Sequence, residues 1–126
     1  MLPVFMGTLA VIATTHAAGP AAAPRKVEIV SVTGCLREAP PGTWTIENAT
    51  DPVPSIANAP PAKDVPAVPP VGKNSFRLIG VSEFNLPAHM GHTVIIKGLF
   101  IQASPMSRVN MTSVTMVAPS CPAAPK

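Results

Sequence analysis

Two imidazoles three residues apart, His89 and His92, with a thioether between them at Met90, are the side chains of this chain best equipped to hold a metal ion. On a helical turn the two rings would share a face, but Pro87 and Gly91 predict a loop instead. Two histidines fall short of the usual three or four protein ligands. The plainer expectation is that they shape a tight turn and donate to nearby carbonyls. The metal alternative adds Met111 to His89, Met90 and His92, because thioethers and imidazoles together select soft monovalent ions such as Cu(I) and Ag(I). Met111 and Met116 are five apart, which on a regular strand puts them on opposite faces. The methionines are therefore expected mainly as filler for irregular gaps in a core.

Cys35 and Cys121 are the only cysteines. With no third thiol and no Cys-x-x-Cys pair, they are expected to form one structural disulfide in an oxidising compartment. Catalysis finds less support. The six acids, Glu28, Glu38, Glu47, Asp51, Asp64 and Glu83, show no recognisable acid/base spacing, and no serine sits in a Gly-x-Ser-x-Gly elbow. There is no phosphate-cradling glycine loop and no His-Glu-x-x-His motif. The expectation is a protein that is not an enzyme and carries no cofactor.

The elements that must position these residues begin after an apolar run from Leu2 to Ala13, which reads as the h-region of a signal peptide over 1–18, followed by a small-residue linker over 19–24. No second apolar run of bilayer length follows, so a periplasmic or secreted protein without a membrane span is expected. Removal of the leader leaves about 108 residues, enough for one domain, 25–122, and a tail, 123–126. Between Asp51 and Gly72, seven of twenty-two residues are proline. Proline cannot donate to a strand ladder, so this insert is expected to add no core strand. It contains Pro66-Ala67-Val68-Pro69-Pro70, which favours polyproline II. Pro66, Pro69 and Pro70, with the single Trp44, are the candidate residues for docking a partner.

Around the insert the chain alternates like strands. Val27 to Cys35 reads as a first strand, Pro40-Pro41-Gly42 as a turn, and Thr43 to Ile46 as a second strand with Trp44 and Ile46 on one face. Asn74 to Ile79 is a third strand, with Phe76 and Leu78 opposite Arg77. Ser82 reads as the cap of a brief helical turn through Phe84 and Leu86, stopped by Pro87. Thr93 to Ile101 is the longest run, broken by Gly98 at an expected bend or bulge. Val109 to Val117 closes the set.

This order is the pattern of an all-β, five-stranded OB-fold-like barrel, with a short helical turn between strands three and four and the Pro-rich insert between strands two and three. Val32-Thr33-Gly34-Cys35-Leu36, Phe76-Arg77-Leu78, His89-Met90-Gly91-His92-Thr93-Val94 before Lys97-Gly98, and Thr112 to Val117 before Cys121 resemble small exported bacterial proteins with OB-fold-like domains. The resemblance implies a fold and a compartment, and no activity. Met90, Met106, Met111 and Met116 beside Trp44 also resemble the ligand types of periplasmic OB-fold copper and silver carriers.

The net charge of +3 is dispersed, with no basic run longer than two. Beyond the leader the aromatics are Trp44, Phe76, Phe84 and Phe100, all at positions a core would claim, which argues against stacking on nucleic acid. The sequence thus points to a non-catalytic exported domain that binds a small ligand, glycan or envelope protein through its loops. A Cu(I)/Ag(I) carrier and an envelope protein docking through the insert are the alternatives. Asn48-Ala49-Thr50 and Asn110-Met111-Thr112 match glycosylation sequons and are read as coincidences of Thr-rich strands.

Overall fold

The computed structural model describes Pro3 and residues 27–122. The expected leader over 1–18 (Pro3 aside), the linker over 19–24, Arg25, Lys26 and the tail over 123–126 lie outside the described residues. The described chain is all-β: β1 (Ile29–Glu38), β2 (Trp44–Ala49), β3 (Val53–Pro54), β4 (Asn74–Ile79), β5 (Thr93–Ile101) and β6 (Arg108–Ala118), with short 3-10 turns at Ala62–Asp64 and Leu86–His89. Among the described residues no helix is long and apolar enough to cross a membrane.

Alternation of apolar residues in each strand gives a buried face that needs a partner, and the strands supply it by closing on one another. β1 pairs antiparallel with β2 on one side and with β5 on the other. β2 pairs with β4, β4 runs parallel to β6 through Arg77–Ile79, and β6 returns antiparallel to β5. Five strands thereby form a ring, and β3 adds a sixth at its edge. Inside the ring lie Val32 and Leu36 of β1, Trp44 and Ile46 of β2, Phe76 and Leu78 of β4, Val94 and Ile96 of β5, and Val109 and Met111 of β6. Each such side chain contributes about 1.5–3 kcal/mol by leaving water.

The hairpin from β1 to β2 turns on Pro40, Pro41 and Gly42, with Gly42 at φ 85 in the left-handed region that favours glycine. Ala39 N–H donates to the Thr43 carbonyl and Thr43 N–H to that of Pro40, which closes the turn.

Leu86, 1 % exposed, is the apolar stopper at one mouth of the ring. The expected cap at Ser82 and stop at Pro87 are corrected here: the 3-10 turn starts at Leu86 after Asn85, and Pro87 sits inside it. The first turn of a helix has no use for the N–H that proline lacks, so Pro87 fits as the second residue of this turn instead of stopping it.

Gly98 marks a register break. Lys97 faces Ser113 while Gly98 faces Met111, so Thr112 is an extra residue on β6. A β carbon on Gly98 would collide with the backbone carbonyl of Asn110 and press on Val109. Gly98→Val is therefore expected to lower stability by at least about 2 kcal/mol, by overpacking against backbone that cannot step aside. A urea titration that leaves the midpoint unchanged would contradict this account of the bulge.

The bulge also corrects the expected placement of the methionines. Met111 lies opposite Gly98 and Met116 opposite Val94, and these two partners are four residues apart on β5. Cross-strand partners share a face, so Met111 and Met116 face the same way. One inserted residue turns an odd spacing into an even one.

The insert adds no core strand, as proline chemistry requires, but it is more than a spacer. Val53 and Pro54 pair with Ser31 and Val30, extending the line that β2 begins along β1. Ser55 N–H donates to the Ile29 carbonyl at 2.9 Å, and Thr112 Oγ1 of β6 donates to the Ala57 carbonyl at 2.8 Å. β5 lies between β1 and β6, so the insert crosses its outer face. It returns to β2 where Gly72 N–H donates to the Asn48 carbonyl. Accordingly β5 is buried on both faces from Thr93 to Gly98, including the outward Ile95 and Lys97. Lys97, 6 % exposed, is the one basic side chain among the described residues that is buried.

Candidate functional site

Two places gather residues that could bind something: the turn over one mouth of the ring and the outer surface of the insert.

The turn is built from backbone. His92 N–H donates to the His89 carbonyl at 3.0 Å, Gly91 N–H to that of Leu36 at 2.9 Å, and Leu36 N–H to that of His92 at 3.0 Å. These bonds tie the turn to the end of β1. Gly91 itself is left-handed at φ 79. Beside it, Cys35 and Cys121 are joined in the expected disulfide, with Cα atoms 5.6 Å apart. Cys121 Sγ lies 3.2 Å from the Gly91 carbonyl oxygen, and Thr93 Oγ1 donates to the Ser120 carbonyl at 2.8 Å. Bridge, turn and strand start form one connected unit.

On this frame the rings of His89 and His92 stand edge to face with centroids 6.0 Å apart. Both Nδ1 atoms are buried, and neither has a hydrogen-bond partner. The expected donation from these rings to carbonyls is therefore not made at Nδ1; the backbone of His92 holds the turn. Met90 projects outward and is 55 % exposed. Met111 does not join them. It is a core residue opposite Gly98, about 13 Å further along β5 than Val94 at the mouth. The methionine at the mouth is Met116, opposite Val94 and 47 % exposed. Sequence reasoning named Met116 among the carrier-like methionines but placed Met111 in the site, because the bulge that aims Met116 lies at Thr112. Among the described residues no group of three or more His, Cys, Asp or Glu side chains converges as a metal site would require.

At the insert, Pro66, Pro69 and Pro70 are half-buried, with the exposed Val68 between them. Pro70 and Val71 line a small crevice with Gly34, Cys35 and Thr93, so the end of this run lies against the ring. The outward apolar residues are Val53, Ile56, Val68 and Val71, 55 %, 67 %, 78 % and 39 % exposed. Trp44, assigned to docking from its type alone, is corrected: it is 6 % exposed inside the ring and offers no surface to a partner. Its place at the start of β2, flanked by β1 and β4, claims the large side chain for packing.

The acids are dispersed: Glu28, Glu47, Asp51, Asp64 and Glu83 are exposed and Glu38 is half-buried. Asp51 Oδ1 accepts a hydrogen bond from Asn74 Nδ2 at 2.8 Å, which ties the first residues of the insert to β4. An open cleft beside it is lined by Thr50, Asp51, Val71, Gly72 and Lys73. Compared with known proteins, the chain matches no family, no curated protein and no solved structure.

Proposed function

We propose that this chain is an exported, non-catalytic binding domain with an OB-fold-like ring, and that it engages an envelope protein through the outer surface of its insert. The observation that carries this reading is that four of the nine exposed large hydrophobics among the described residues, Val53, Ile56, Val68 and Val71, lie on one segment tied to the ring by hydrogen bonds. A solvated spacer gains nothing from bulky apolar side chains held outward, whereas a docking surface does. Holding the segment in place before contact lowers the entropy cost of binding.

The OB-fold-like assignment is supported by the strand succession. Leaving β3 aside, the ring runs first, second, third, fifth, fourth and back to first, with the third and fifth parallel and a short turn stopping one mouth. Export is supported by the disulfide. A non-catalytic role is supported by the dispersal of the acids, and a protein partner in place of an oligonucleotide by aromatics committed to packing.

The test uses a photo-crosslinking residue at position 68, with position 77 as control because Arg77 is exposed on β4, outside the insert. In cells exporting the protein, a discrete higher-mass adduct is expected from position 68 and not from 77, and Ile56→Ser should diminish it. The ring core is untouched by Ile56→Ser, so its thermal midpoint should stay within about 3 °C of the parent. Equal adducts from both positions, or none from 68, would overturn the reading.

A further inference from the structure

The two histidines have no part in the reading above, and their environment is unusual for imidazole. A buried nitrogen without a partner costs about 1–3 kcal/mol, so native structures rarely leave one, and here two lie within one turn. The turn that carries them is braced by three backbone hydrogen bonds and stands beside the disulfide, so the main chain from which both rings project is fixed. Their centroids lie 6.0 Å apart, close enough for a nitrogen of each ring to reach one ion at about 2 Å.

We propose that the mouth of the ring binds one soft monovalent cation of the Cu(I) class, held by His89 and His92 with the thioethers of Met90 and Met116. The donor set decides the class. Hard divalent ions require several oxygen ligands, and zinc requires three or four ligands from Cys, His and carboxylates, which do not gather here. Imidazole and thioether together suit soft ions that accept few ligands. Both methionines are free to serve: Met90 is in the same turn, and Met116 lies opposite Val94, two residues beyond His92. Met111, buried in the core, is excluded from the set.

The test titrates silver(I), a redox-inert probe, into the oxidised full-length protein and reads native mass together with histidine ring signals by NMR. One silver per chain is expected, with shifts at His89 and His92. Loss of outer-shell partners alone costs metal sites about 10–100-fold, so H89A/H92A should weaken binding by more than about 100-fold. Met90→Leu and Met116→Leu should each weaken it several-fold. Met111→Leu, a volume-conserving core change, and substitution of His16 should leave it unchanged. Should H89A/H92A fail to fold, the ring signals of the parent protein decide. Absence of an adduct at equimolar silver, an adduct that survives in folded H89A/H92A, or an adduct that leaves both ring signals unmoved would overturn the proposal.

Discussion

Replacing Cys35 and Cys121 together with alanine is expected to lower the stability of the domain by about 4 kcal/mol and its thermal midpoint by 15 °C or more. The bridge spans a sequence separation of 86. In the chain-entropy account, a loop of that length is among the most costly to leave open in the unfolded state. The folded state adds a local reason. The parallel seam between β4 and β6 involves only Arg77–Ile79 and Arg108–Asn110, so β6 relies on β5 and on its anchored end to stay in the ring. Cys121 anchors that end to β1 across the start of β5, where Thr93 Oγ1 also bonds Ser120. Alanine is the right replacement because Cys35 is buried and serine would bring in an unpaired hydroxyl. Thermal unfolding followed by circular dichroism should show the same drop for the variant and for the parent under reductant. A change below about 5 °C in both would mean that the ring closes without its staple.

Most of the ring was legible from residue order. The β1–β2 hairpin followed from Pro40-Pro41-Gly42 between apolar runs, and β4 from Phe76 and Leu78 flanking Arg77. The disulfide followed from cysteine arithmetic alone. What escaped the reading is non-local. Periodicity assumes that each residue turns the chain by the same amount, and the extra Thr112 breaks that assumption for the residues up to Met116, after which Val117 shifts the register again. Proline content shows that the insert cannot contribute core strands, yet it carries no information about which exposed face the segment will cover. The burial of Ile95 and Lys97 accompanies hydrogen bonds that hold the insert at Ser55 and Ala57, residues distant in sequence from β5. Composition likewise shows two imidazoles near one another, whereas the unmet Nδ1 atoms emerge only once Leu36 and Gly91 have fixed the turn.

The two surfaces have different mechanical footings. The mouth is covalently braced, so its histidines should respond to reduction of the bridge that lies beside Gly91. The insert is held by the two-residue pairing of β3 and by single hydrogen bonds at Asp51, Ser55, Ala57 and Gly72, each worth about 1 kcal/mol. It is the part of the domain that can yield to a partner without the ring opening.

Trp44 separates a packing account of this chain from a binding account. Trp44→Ala is expected to cost about 3–5 kcal/mol, which against a total of about 5–15 kcal/mol leaves the domain close to unfolding. The side chain lies at the start of β2, opposite Glu38 on β1 and Leu78 on β4, so its loss opens a cavity where three strands meet. Its neighbours Ile46, Phe76 and Leu78 stand on strands locked by ladder hydrogen bonds and cannot collapse into that space. Trp44→Phe keeps most of the volume and should lose far less. The denaturant midpoint by circular dichroism should fall for Trp44→Ala with an unchanged slope, the signature of lost stability without a changed unfolded state. Because this is the only tryptophan, the emission of the parent protein reports the same site: it should be blue-shifted when folded and move to the red at the same midpoint. A docking tryptophan would give the opposite pattern, with red-shifted emission in the folded state and Trp44→Ala losing a partner while keeping its stability. Loss of less than about 1 kcal/mol in Trp44→Ala would therefore return Trp44 to the surface and undo the packing of the ring described above.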